Sequence, residues 1–163
     1  MGRTGRIGYN NIKVQIMEVS DILSEDMILA DINADSKRQL LEQLSTVVAD
    51  KCDLDKNAVF EAILERENLG STGYGNGVGY PHARIEGLQK VVAMVARLRS
   101  PLDYEAVDSQ GVDIVAMMVS PENSGNDHLQ TLAVLSRALK NEKTRQTIRQ
   151  AKNAHEIYVA LQK

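Results

Sequence analysis

Apolar positions follow two rhythms along this chain. Leu40, Leu41, Leu44, Val47 and Val48 recur at helical spacing and predict a helix with one buried face. Ser36 precedes them as an N-cap, with Gln39 three residues on to complete a capping box. A second helix is expected from Asp55, turning Val59, Phe60, Ile63 and Leu64 inward and ending near Asn68, where Gly70 offers a left-handed stop. The rhythm then changes. Val91–Leu98 and Val112–Val119 are almost wholly apolar and valine-rich, the pattern of strands buried on both faces. After "SPENSGND" the helical period returns through His128, Leu132, Leu135 and Leu139, with Ser124 or Asn126 as the expected cap. Glu142–Ala151 and Ala154–Leu161 are two further helix candidates. The order predicts an α/β fold, a sheet covered by helices on both sides. The pattern does not reveal the strand order.

The chain of 163 residues suits one domain, and no linker or repeat divides it, so the domain is placed at 17–163. Residues 1–16 are basic without an apolar stretch. They read as a disordered arm or an expression remnant rather than a secretory signal, with Met17 as an alternative start. Net charge is −3, from 19 basic and 22 acidic residues, without a basic stripe, which argues against nucleic acid as a partner. The longest apolar runs are far shorter than the ~20 residues of a membrane span. Cys52 is the single cysteine, so no internal disulfide forms and a reducing, cytoplasmic setting is expected.

The densest chemistry lies in "LGSTGYGNGVGYPHARI", Leu69 to Ile85, which holds five of the eleven glycines and one of the three histidines. Known glycine motifs fail on it. G-x-G-x-x-G meets Val78, Tyr80 or His82 where its third glycine belongs; no Gly-Lys pair makes a P-loop; Ser71 follows Gly70 too closely for a nucleophile elbow. Two readings stay open on the residues alone. One is a long turn with a surface histidine. The other is a loop whose N–H groups form an anion-binding concavity, with Ser71 and Thr72 adding hydroxyls and Pro81 stiffening the approach to His82.

Other residues add to the second reading. His128 shares a face with Leu132 near a helix N-terminus, where anions are favoured; equally, it can be a buried histidine bonded to backbone. Arg66 stands one turn before the loop and can hold a phosphate bidentately or face solvent. Arg84 shares a face with His82 if that stretch is extended. His155 falls out of phase with its apolar neighbours and reads as exposed. No zinc spacing or H-E-x-x-H is present, so no metal or cofactor is expected. A Ser–His–Asp site using Ser71 and His82 has no local pattern behind it.

"RENLGSTGYGNGVGYPHARI", followed by the "HL" of His128 and Leu129, resembles the enzyme IIA domain of the fructose/mannitol type in the bacterial phosphotransferase system, most closely its nitrogen-regulatory branch. The resemblance spans Glu18 to Leu161. It implies a mixed β-sheet sandwiched between helices. It implies that His82 accepts a phosphoryl group from an HPr-like carrier, that His128 supports it, and that Arg66, Ser71, Thr72 and Gly73 form the phosphate-binding surroundings. It also implies regulatory partners such as kinases or potassium transporters. Two positions depart from the common family pattern: Ala83-Arg84 where many members read Gly-Lys, and Tyr80 where isoleucine is frequent. Two other functions compete: a sugar-specific enzyme IIA that passes phosphate to a permease IIB, and a protein-binding module whose histidine is never phosphorylated.

Overall fold

The computed structural model describes residues 17–163; the expectations for residues 1–16 lie outside it. The described chain runs α1 (Val19–Ile22), a single 3-10 turn (Glu25–Met27), β1 (Ile28–Ile32), α2 (Lys37–Cys52), α3 (Lys56–Leu69), β2 (Gly73–Gly75), β3 (Val78–Gly79), β4 (His82–Ile85), β5 (Val92–Leu102), β6 (Val112–Pro121), α4 (Asn126–Lys140), α5 (Glu142–Gln150) and α6 (Ala154–Leu161). Six strands form one mixed sheet in the order β1-β5-β6-β3-β2, with β4 continuing along the same edge of β6 as β3. The antiparallel β5–β6 pair is its centre; β1 joins β5, and β3 and β4 join β6, all in parallel. The α2–α3 pair and the α4–α6 group cover the sheet, so the expected fold class is met.

Each helix expected from the apolar rhythm is present. Ser36 caps α2 by accepting from the Gln39 N–H at 3.1 Å, but the Gln39 side chain accepts from Asp35 N–H rather than from Ser36, so the box is only half closed. Asp55 caps α3. Two expectations fail at helix ends. Gly70 has φ 163°, which is extended backbone and not a left-handed stop. α4 starts after Gly125 without a side-chain cap, because the Ser124 hydroxyl donates instead to the Pro121 carbonyl at 2.8 Å.

The two apolar runs are the central strands, but both are longer than their apolar cores. β6 is buried along nearly its whole length. β5 continues past Leu98 to Leu102, where its polar side chains find neighbours: Arg99 forms an ion pair with Asp31 on β1 at 2.6 Å. β1 has a mixed apolar and polar sequence that does not separate it from a loop, and its strand pairing comes from β5.

Candidate active site

Half of the glycine-rich stretch is a hairpin. Asn76 and Gly77 both have positive φ, 62° and 77°, so β2 and β3 meet in the mirror-type tight turn that "NG" favours. The hairpin packs over Tyr104, which is fully buried. A Cβ at Gly79 would stand 2.9 Å from the phenol ring, so glycine is what lets the strand approach. From Gly79 the chain turns through Tyr80 and Pro81 and re-enters the sheet at His82, opposite Met118 of β6. The Met118 N–H donates to the Pro81 carbonyl at 3.0 Å, which fixes the entry to β4.

His82 and Arg84 alternate with buried Ala83 and Ile85, so both point out of the same face of β4. The first turn of α4 brings His128 to that face. The two imidazoles stand edge to face, 5.6 Å between ring centres. Arg66, in the last turn of α3, closes the other side. These residues line a cleft of about 350 Å³ with Ala62, Glu65, Leu69 and Ala83. Leu69 is exposed at its rim, and Leu129, the residue after His128, is exposed as well.

Hydrogen bonding sets the state of His82. Its Nδ1 lies 2.8 Å from the Tyr80 carbonyl. A carbonyl can only accept, so Nδ1 carries the proton and Nε2 keeps its lone pair. Burial lowers the pKa below the ordinary 6.5, and the Arg66 charge adds to that; the Tyr80 carbonyl and the more distant Glu67 charge oppose it. His128 is 7% exposed, and its Nδ1 is hydrogen-bonded to the Ser120 hydroxyl. Its pKa is also lowered, first by burial, then by Arg84 and His82. Two neighbouring imidazoles are thus held neutral, one with a bare nitrogen. Arg66 donates to the Gly70 carbonyl at 2.8 Å and sits 3.4 Å from the Tyr74 hydroxyl. Arg84 donates to the Ser124 carbonyl, tying His82's strand to the loop that presents His128.

Ser71, Thr72 and Gly73 are placed differently from His82, His128 and Arg66: none of the three lines the cleft. The Ser71 hydroxyl donates to the Tyr104 carbonyl at 3.1 Å and accepts from Gly73 N–H at 3.1 Å. Thr72 is fully buried; its N–H donates to Glu67 at 3.1 Å and its hydroxyl bonds to the same carboxylate. Glu67 also accepts from the Tyr104 hydroxyl at 3.0 Å and pairs with Lys37 at 2.8 Å, and the Lys37 ammonium lies 4.4 Å over the Tyr104 ring. This polar knot joins three segments far apart in sequence, around Lys37, Glu67–Thr72 and Tyr104, and was not expected from the pattern. His155 is exposed as expected and pairs with Glu25 at 2.6 Å. Among the described residues no group of three or more His, Cys, Asp or Glu side chains is placed to hold a metal ion.

A histidine with a bare nitrogen, in a cleft lined also by two arginines and a second imidazole, is suited to holding a phosphoryl group. The chain belongs to the family described as "Phosphoenolpyruvate-dependent sugar phosphotransferase system, EIIA 2", whose model matches residues 21–163. Within it, the chain is 37% identical over 145 residues to a nitrogen regulatory protein of Bradyrhizobium diazoefficiens, covering 89% of this chain and 95% of that one. A fructose-specific EIIA component of Haloferax volcanii is 30% identical over 145 residues, 88% of this chain and 94% of that one. The crystal structure of the nitrogen regulatory protein IIA-Ntr from Neisseria meningitidis superposes with a TM-score of 0.82 at 30% identity, covering 88% of this chain and 98% of that one. Phosphotransfer in this family passes through a histidine.

Proposed function

We propose that this chain is a regulatory phosphocarrier in which His82 takes a phosphoryl group on Nε2 from the phosphohistidine of an HPr-like carrier. The Tyr80 carbonyl carries the reading, because it accepts from Nδ1–H and leaves Nε2 as the lone pair aimed at a donor. The Nε2 lone pair attacks phosphorus as the P–N bond to the carrier breaks, and the electron pair of that bond returns to the carrier's imidazole. The ring of His82 gains positive character during attack, and the Tyr80 carbonyl stabilises it through the retained Nδ1–H. Arg66 and Arg84 line the same cleft as His82, and in this reading they meet the equatorial oxygens, where charge is concentrated in phosphoryl transfer. His128 supplies a neutral donor on the remaining side. We read Ser71, Thr72 and Gly73 as supports that hold the loop under Arg66, since their donors are already engaged.

The phosphorylated form carries about −1.5 to −2 of new charge at a cleft with exposed Leu69 at its rim. That change is sufficient to alter the binding of regulatory partners such as kinases or potassium transporters in the cytoplasm. The fructose-specific relative is the observation favouring a second reading, a sugar-specific enzyme IIA that hands phosphate to a IIB domain.

The test is transfer itself. The protein is mixed with phosphoenolpyruvate, the first enzyme of the system and an HPr-like carrier, and its intact mass is recorded. One acid-labile phosphoryl group is expected on wild type and none on His82→Ala. Absence of an adduct with any competent carrier leaves His82 as a loop histidine in a binding domain. Onward transfer to a IIB domain favours the second reading.

A further inference from the structure

β6 is apolar along its whole buried length except at Ser120, which is fully buried. In register, Ser120 lies opposite Arg84, two residues beyond the Met118–His82 pair, so its hydroxyl points to the cleft side of the sheet. Its one hydrogen bond among the described residues is to His128 Nδ1. A hydroxyl has one proton to place. If His128 carried its own proton on Nδ1, that N–H would point at the Ser120 oxygen, and the serine proton would be buried with no acceptor. If Ser120 donates, both groups are satisfied, and the His128 proton must reside on Nε2. Buried donors are paired in folded proteins, so the second arrangement holds.

We propose that Ser120 is a positioning residue that fixes His128 in the Nε2–H form, so that His128 donates a hydrogen bond to the phosphoryl group on His82. The two imidazoles are then set in opposite tautomers by different partners. A backbone carbonyl holds His82 with its lone pair on Nε2, and a serine hydroxyl holds His128 with its proton on Nε2. One nitrogen attacks, and the other supports the oxygens that nitrogen has captured. The opposite tautomer of His128 would turn a second lone pair toward an anionic group and repel it. The role in transfer rests on the reading of His82 as the phosphoacceptor; the tautomer itself does not.

The test therefore has a spectroscopic arm and a kinetic arm. In wild-type protein at neutral pH, the ¹⁵N shifts of the His128 ring, assigned through His128→Gln, are expected to show a pyrrole-type Nε2 and a pyridine-type Nδ1. Finding the proton on Nδ1 overturns the proposal, with no variant required to fold. Ser120→Ala is expected to move the ring toward a mixture of tautomers, and Ser120→Thr, which keeps the hydroxyl, to restore the wild-type spectrum. With an HPr-like carrier, Ser120→Ala is expected to lower kcat about three- to tenfold with little change in KM, the loss of one neutral hydrogen bond made in the transition state. A Ser120→Ala protein with wild-type shifts and rate makes the hydroxyl a packing feature and sinks the idea. If wild type takes up no phosphoryl group, the function proposed above has failed, and the ¹⁵N result still decides the tautomer.

Discussion

The cleft and the polar knot beneath the loop lie within one helical turn of each other, since Arg66 faces the first and Glu67 the second. They are opposites in how their polar groups are used. In the knot, every member is satisfied inside the protein: Glu67 accepts from Thr72, Tyr104 and Lys37. In the cleft, Nε2 of both histidines makes no hydrogen bond among the described residues, and two guanidinium groups stand beside them. A saturated polar cluster holds shape, and an unsaturated one awaits a ligand. Side-chain chemistry alone does not separate them, because serine, threonine and glycine at a loop suit either.

The largest effect is expected from Glu67→Ala. It leaves the half-buried Lys37 ammonium beside Tyr104 without its partner and the buried Thr72 and Tyr104 hydroxyls without their acceptor, and breaking a largely buried pair from one side costs about 3 kcal/mol. Urea unfolding should show that loss, and adding Lys37→Met should recover much of it. A Glu67→Ala protein of normal stability that no longer takes up phosphate would move Glu67 from the scaffold to the site. Arg66→Ala is the mirror experiment. Transfer should fall by about 10²–10³, the usual cost of removing a group that stabilises developing charge, while unfolding shifts little. A stability loss as large as that of Glu67→Ala would erase the contrast between the two regions.

Thr72→Val addresses the expectation that the loop binds phosphate. The hydroxyl bonds the Glu67 carboxylate and lies 3.1 Å from the Tyr104 hydroxyl, so its removal leaves buried acceptors short of a donor. The expected loss is about 1–3 kcal/mol in the unfolding free energy. Transfer by the folded variant should stay within about threefold of wild type, since its change is confined to the knot. A fall in rate of 10² with intact stability would return Thr72 to the phosphate site.

This comparison also marks where the sequence was legible. The residues alone left two readings open at His82, His128 and Arg66, and only the family resemblance of the loop grouped them; the structure places all three around one cleft. The fold class followed from two unbroken apolar runs flanked by helical spacing. What was not legible is non-local. Tyr104 meets the loop only because β5 and β6 bring their connection beneath it, and Glu67 reaches the same point from α3. Gly70 and Gly125 were misread or passed over because tertiary contacts decide helix ends: Arg66 takes the Gly70 carbonyl and Arg84 the Ser124 carbonyl. Ser120 gave the one available signal, a lone hydroxyl at the end of an apolar strand, but its meaning depends on His128 lying above it.

The smallest effect is the pH dependence, and it follows from the burial of the two imidazoles. Both histidines have folded pKa values below 6.5, with burial as the first cause. The unfolded chain therefore binds protons more tightly than the folded one between those lowered values and 6.5. Stability from these groups is fully present above 6.5 and is lost as pH falls through that window. The carboxylates Asp26 and Asp31, whose values are held below 3.8, act in a separate and more acidic range. Unfolding midpoints should thus fall between pH 7.5 and 5.5 in wild type, and fall less in the His82→Gln, His128→Gln double variant. The same shift should move the acid limb of phosphoryl uptake below pH 6.5, because His82 stays neutral and nucleophilic further into acid than a solvated imidazole. A limb centred at or above 6.5 would mean that water or the Glu67 charge governs His82 more than burial does. The cleft would then be a continuation of the knot's electrostatics rather than its opposite.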